Sequence, residues 1–353
     1  MSCQITSAGQ CEQVIGSARA ECETADYGRH MRAIVCNSFA PLDQLAVEER
    51  PSPELAAGQV RVRVTAAGVN FVDALIVQGL YQIKPPLPFV AGGETVGVVT
   101  ELGDGVNSPA LGDRVLVSSG FGGFATEIVA TASRVLIVPS SLSDGQAATF
   151  MQSYMTAFFA LVQRAHMQAG QWLLVLGAGG GVGLAAVDVG RAIGLNVIAA
   201  ASSAEKREMA QSRGAFAVID SSTEDVKARA KQISGDGVDA VYDPVGGRLG
   251  EECLRALRED GQFIVIGFAS GDIPKLPANQ VLLRNRRVTG VDWGAWVGRN
   301  PAANQQLVEQ LVALIEFGAV NPVEPVSYAL DQAAQALADQ QQRRVVGKAV
   351  LVP

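Results

Sequence analysis

The chain has 353 residues, 48% of them hydrophobic and 38 of them glycine, enough apolar mass for two compact domains and too much for a disordered polypeptide. A formal net charge of -7 argues against nucleic acid or an anionic membrane surface as a partner. No apolar run approaches the roughly 18 residues of a membrane span, and the five cysteines (Cys3, Cys11, Cys22, Cys36, Cys253) form no Cys-x-x-Cys pair, the usage expected of a reduced cytoplasmic protein.

Residues 1–30 are small and polar and lack the basic start and apolar core of a signal peptide, so they are expected to form a poorly ordered extension. Met31 to Val35 opens the first strand. Val60-Arg61-Val62-Arg63-Val64 alternates as a half-buried strand does. Pro85-Pro86-Leu87-Pro88 predicts a rigid extended loop. Val96 to Thr100 and Arg114 to Val117 are further strands, and the turn Leu102-Gly103-Asp104-Gly105 lies between them. From Gly145 to Gln168 the spacing becomes helical.

The strongest local signal follows. Trp172 to Leu176 is an uninterrupted apolar run, as in a strand buried on both faces. It feeds the turn Gly177-Ala178-Gly179-Gly180-Gly181-Val182-Gly183, and Leu184 to Ile193 is then helical. A strand, a glycine turn and a helix let the backbone approach a pyrophosphate, which sits on the amides of the helix N-terminus. Such a cluster alone also occurs in plain loops, but here the units repeat: Val197 to Ala201 with Ala204 to Arg213, Ala217 to Asp220 with Asp225 to Ile233, and Val238 to Tyr242 with Leu249 to Leu257. The strand Phe263 to Ile266 follows. This alternation predicts a doubly wound parallel sheet that binds a dinucleotide. Asn304 to Phe317 repeats apolar residues at helical spacing, and the chain closes on the strand Lys348 to Val352. The expected fold is α/β: a Rossmann domain over 154–294 and a strand-rich domain over 31–153 and 295–353, with the active site in the cleft between them.

Several further motifs occur in order: Gly68-Val69-Asn70-Phe71-Val72-Asp73, Gly79-Leu80-Tyr81, Leu87-Pro88-Phe89, Gly92-Gly93-Glu94, Tyr242-Asp243-Pro244-Val245-Gly246-Gly247, Ile266-Gly267-Phe268-Ala269-Ser270-Gly271 and Gly290-Val291-Asp292-Trp293-Gly294. From Met31 to the C-terminus the chain resembles the medium-chain dehydrogenases/reductases of the quinone oxidoreductase (zeta-crystallin-like) branch. That resemblance implies a GroES-like catalytic domain beside the Rossmann domain, and a homodimer.

Zinc-dependent members of this superfamily need about three Cys, His or carboxylate ligands around an open metal position. Asn70 stands where those relatives carry a cysteine, and Gly93 replaces the histidine of their Gly-His-Glu motif. Gly112 to Ala125 holds no cysteine, so the structural zinc lobe is missing too, and no metal is expected. Hydride transfer without a metal requires an acceptor that is already electrophilic, a quinone or an α,β-unsaturated carbonyl compound.

By resemblance Asn70 and Thr156 lie beside the nicotinamide and the substrate, and Tyr81 offers a hydroxyl to the substrate oxygen. These three are the candidate catalytic residues. Each also has a plainer role available: Asn70 as a turn cap, Tyr81 as a packing residue, Thr156 as an ordinary helix position. Asp73 and Glu94 match family positions and are expected to hold loops rather than act as acid or base. Leu75 and Met155 depart from the usual pattern, as does Gln152, which still counts among the cofactor-site residues.

The predicted cofactor is NADPH. No acid ends the second strand, where an NAD enzyme needs one for the ribose hydroxyls; the stretch reads Ala201-Ser202-Ser203, with Lys206 four residues past Ser202. A hydroxyl and an ammonium without a carboxylate suit a 2′-phosphate. By resemblance Ser221 and Arg343 join them. Gly180, Gly181, Val182 and Gly183 at the turn, and Gly267, Phe268, Ala269 and Trp293 beyond the later strands, complete the expected cofactor site. Reduction of a 2-enoyl thioester is the nearest alternative activity, and a structural or RNA-binding role the alternative of another class.

Overall fold

The computed structural model describes residues 29–353, so nearly all of the expected N-terminal extension lies outside the described residues. The alternating run at Val60 is the middle of Gln59–Val69, the strand on which a seven-stranded sheet is built. Glu94–Leu102 pairs along one of its edges. The other edge is shared, Glu127–Thr131 taking the first half while Ala349–Val352 pairs with Ala67, Gly68 and Val69. Arg114–Ser118 and Val135–Ile137 extend the sheet at one side, and Val326–Ala329 at the other. The end of the chain is thereby woven into its beginning. The register Ala349 opposite Val69 sets Lys348 beside Asn70.

The second sheet is parallel throughout. Its six strands lie in the order Ala217–Asp220, Asn196–Ala201, Trp172–Leu176, Val238–Asp243, Leu257–Val265 and Arg287–Gly290. Starting from Trp172–Leu176 the chain winds outward one way and then the other, which opens a crevice at the carboxyl ends of the strands where the order reverses. The glycine turn sits in that crevice. Gly177 has φ +61°, a conformation that favours glycine, and a Cβ on Gly183 would lie 2.3 Å from the Gly177 carbonyl oxygen, so a side chain at Gly183 would push the helix Gly181–Ala192 away from its strand.

The helix between the sheets departs from its sequence reading. Asp144–Phe150, capped by Ser143, continues as wide π-type turns over Met151–Met155 and Phe159–Arg164, with regular helix between them. It ends at Arg164 rather than at Gln168, because His166 turns the backbone to φ 50°. Its Phe150, Met155, Phe158 and Phe159 pack in one core with Val96 and Leu116 of the first sheet and Leu173 and Val175 of the second. Each such side chain contributes about 1.5–3 kcal/mol when fully buried, so this wedge fixes the two sheets against each other. Tyr154 adds a polar tie: its hydroxyl donates to Asp188 at 2.6 Å, and Arg213 donates to the same carboxylate at 2.9 and 2.7 Å. No helix among the described residues is long and apolar enough to cross a membrane.

Candidate active site

Asn70 is the N-cap of the helix Phe71–Val77 and is 5% exposed. Its backbone N–H donates to Asp73 Oδ2 at 2.8 Å, so the capping reading of its sequence is realised. Its amide group has separate business. Lys348 Nζ donates to Asn70 Oδ1 and, at 3.3 Å, to the Val69 carbonyl oxygen. Asn70 Nδ2 lies 3.5 Å from Glu94 Oε2. Glu94 in turn accepts the backbone N–H of Met151 at 2.7 Å and of Gln152 at 3.3 Å, where the linking helix widens. Thr156, one turn on, donates its hydroxyl to the Gln152 carbonyl at 2.6 Å. Asn70 and Gln152 therefore meet around Glu94, and Thr156 is tied to them only through the Gln152 carbonyl.

Burial pushes the Glu94 carboxyl up to about 7 and that of Asp73 up to about 6, against the opposing pull of the Lys348 ammonium and the amides. Lys348, itself buried, has its pKa lowered by the same desolvation, with the two carboxylates drawing it back. Sequence reading missed Lys348. It stands at the head of an apolar strand, where its only signal is a charge beside Gly347.

At the glycine turn, the N–H groups of Gly181, Val182 and Gly183 open the helix that points into the crevice. Gly180 is extended and bridges to Gly347, whose N–H donates to the Gly179 carbonyl at 2.9 Å. Lys206 packs against Gly179 and donates to the Arg343 carbonyl at 2.6 Å, and the Arg343 guanidinium donates to the Ala269 carbonyl at 2.7 Å. Ser202 is exposed just past the end of its strand at Ala201, while Ser203 is the residue that caps the following helix. Ser221 begins just past the neighbouring strand, its N–H on the Ala201 carbonyl at 3.1 Å. Arg207, also missed, reaches the Ala201 carbonyl at 3.3 Å and pairs with Asp220 at 3.0 Å, so the acid at this end of the sheet is on the third strand and already engaged.

Tyr81 is half-buried among apolar side chains of the strand-rich domain, and its phenol is pushed up by burial and by the charge of Asp292. Asp292 belongs to the far side of the cleft. A cavity of about 440 Å³ opens there, lined by Phe159, Gly267, Phe268, Val291, Asp292 and Trp296 among others. Trp293 turns elsewhere: its indole N–H is committed to Asn304 at 2.9 Å, leaving ring and backbone as the parts that could meet a cofactor. Among the described residues no group of three or more His, Cys, Asp or Glu side chains could hold a metal ion.

A Rossmann-type sheet, a GroES-like partner domain and a polar cluster at their junction define the class of protein. Residues 56–140 match the alcohol dehydrogenase GroES-like domain, and residues 181–316 match the zinc-binding dehydrogenase domain. The chain is 39% identical to the quinone oxidoreductase-like protein 2 homolog of Nematostella vectensis, over 91% of this chain and 88% of that one. The quinone oxidoreductase of Escherichia coli complexed with NADPH superposes with a TM-score of 0.81 at 28% identity, covering 91% of this chain and 100% of the other. The CurK enoyl reductase gives a TM-score of 0.81 at 26% identity, over 91% and 99%. The chain belongs to the medium-chain dehydrogenase/reductase family, in its quinone oxidoreductase-like branch.

Proposed function

We propose that the protein is an NADPH-dependent reductase of quinones or α,β-unsaturated carbonyl compounds that works without zinc. The observation that carries this reading is the arrangement of one glycine turn between two polar ends: Lys206 and Arg343 at one, Asn70 and Lys348 at the other. The turn amides are aimed for a pyrophosphate, and the Lys206–Arg343 pair for a 2′-phosphate. The residues present do not suit a metal, because the Lys348 ammonium already contacts Asn70 and would repel a cation there. When bound, the reduced nicotinamide supplies the hydride. Asn70 and Tyr81 orient the acceptor and donate to its oxygen, and Thr156, whose hydroxyl proton is held by the Gln152 carbonyl, lies beside the nicotinamide. The accompanying proton comes from solvent or from the Tyr81 hydroxyl. The division into domains over 31–153 with 295–353 and over 154–294, and a cytoplasmic location, belong to the same proposal.

A homodimer fits it too. Arg287–Gly290 is an edge strand paired on one side, with Leu282 and Leu283 exposed nearby at 78% and 57%. The likeness to the CurK enoyl reductase favours one second reading, reduction of a 2-enoyl thioester.

The deciding experiment follows NADPH oxidation with a panel of quinones, short enones and 2-enoyl thioesters. Turnover of quinones or enones is expected. Turnover confined to thioesters selects the second reading, and NADPH binding without turnover of any acceptor overturns both.

A further inference from the structure

Lys348 crosses the junction between the two sheets. Its backbone neighbour Gly347 is hydrogen-bonded to Gly179 of the glycine turn at 2.9 Å. Its stem runs so close to the first residue of the turn helix that a Cβ on Gly181 would fall 2.3 Å from Lys348 Cδ. Its ammonium ends on Asn70 Oδ1 and the Val69 carbonyl, 5% exposed, facing Asp73 and Glu94. This geometry leaves the Asn70 amide one orientation. Only its oxygen can accept from an ammonium, and only its nitrogen can donate to a carboxylate. Among the described residues, the one hydrogen bond that Nδ2 makes within 3.5 Å is to Glu94, and the Asp73 carboxylate lies near enough to compete for its second N–H.

We propose that Lys348 is a positioning residue for the reduction: by donating to Asn70 Oδ1 it fixes and polarises the amide, so that the remaining Nδ2–H gives a stronger hydrogen bond to the acceptor oxygen. A hydrogen-bonded chain inside a protein strengthens each of its members, and a cationic donor at its head strengthens them most. The contribution grows with the charge that the oxygen gathers. In an enone the incoming electron pair is drawn to one carbonyl oxygen. In a quinone it spreads through the forming aromatic ring toward two oxygens. Loss of Lys348 should therefore harm enone reduction more than quinone reduction, a signature that loss of packing would not produce.

The inference rests on the reductase reading, and the test separates the two. Wild-type turnover of a naphthoquinone and of a short-chain enal tests that reading by itself. Lys348→Met is then compared with wild type on both acceptors, with NADPH affinity measured alongside. Turnover of the enal is expected to fall roughly tenfold or more, somewhat less than the loss of a direct oxyanion donor. Quinone turnover should fall less, NADPH affinity should stay near its wild-type value, and Lys348→Arg should recover part of the enal activity. Should the single variant not fold, Lys348→Met combined with Glu94→Gln keeps the charge balance of the cluster and allows the same acceptor comparison. An equal loss on both acceptors, a loss confined to NADPH binding, or no loss at all would overturn the inference.

Discussion

Lys206 Nζ donates to the main-chain oxygen of Arg343, 137 residues away in sequence, at 2.6 Å, which brings two cations to one edge of the glycine turn. Burial lowers the pKa of the Lys206 ammonium, and the charge of Arg343 lowers it further. A dianionic phosphate placed between them would relieve both penalties, which is the physical basis for proposing this edge as the 2′-phosphate site.

That reading sets the first prediction. A charge-assisted contact of roughly 1.5–3 kcal/mol means that Lys206→Ala should weaken NADPH by about 10- to 150-fold. NADH affinity should hardly change. Adding Ser202→Asp should set a carboxylate against the phosphate and reverse the preference. Dissociation constants for both cofactors check this, and equal weakening of the two would make Lys206 a bystander.

Tyr81 is half-buried against the strand-rich core, near enough to Asp292 for that charge to raise its phenol. If its hydroxyl serves the acceptor oxygen, Tyr81→Phe should lower turnover by about 5- to 150-fold, the worth of a hydrogen bond of roughly 1–3 kcal/mol, with NADPH affinity unchanged. An unchanged rate with every acceptor returns Tyr81 to packing alone.

Glu94 supplies a pH dependence. Its carboxyl is raised by burial from the ordinary 4.5 to about 7, so the folded chain holds a proton that the unfolded chain releases. The stability it contributes is complete below about pH 4.5 and is lost as pH rises through about 7. Asp73 acts in the same direction up to about 6. Glu94→Gln cannot titrate, so its thermal stability should fall less steeply than that of wild type across this window, by about 3 kcal/mol at most. Parallel melting curves from acid to neutral pH would contradict the assignment.

Purified protein should carry no stoichiometric zinc and should keep its activity in a chelator, because Lys348 Nζ and Asn70 already occupy each other. One zinc per chain, required for turnover, would refute the zinc-free reading.

The exposed edge strand gives the last expectation. Val288 is 44% exposed on it, and Val288→Asp should shift the protein toward monomer in sedimentation or light scattering. A wild-type monomer, or a dimer indifferent to this change, would remove the strand from the interface.

What the sequence determined by itself is what lies within one turn or one strand of itself. The apolar run Trp172–Leu176, the glycines behind it and the repeated strand–helix units could build only a parallel sheet with a phosphate-sized turn, because burial on both faces and close backbone approach are local demands. The missing acid after Ala201 was equally plain, whereas only the family resemblance set Asn70 and Gly93 where zinc-dependent relatives carry metal ligands. Shorter elements escaped notice: Phe71–Val77, Glu127–Thr131 and Arg287–Gly290 are too brief for their periodicity to stand out. Only the tertiary structure decided how the charges meet. Lys348 reaches Asn70 across 278 residues, and Arg207 finds Asp220 on the neighbouring strand. A lone lysine at the head of an apolar strand looks like a solvent-facing terminus in one dimension. It becomes a buried cation only because the pairing of Ala349 with Val69 carries it to the junction of the two sheets, where two carboxylates and an amide offset the cost of its desolvation.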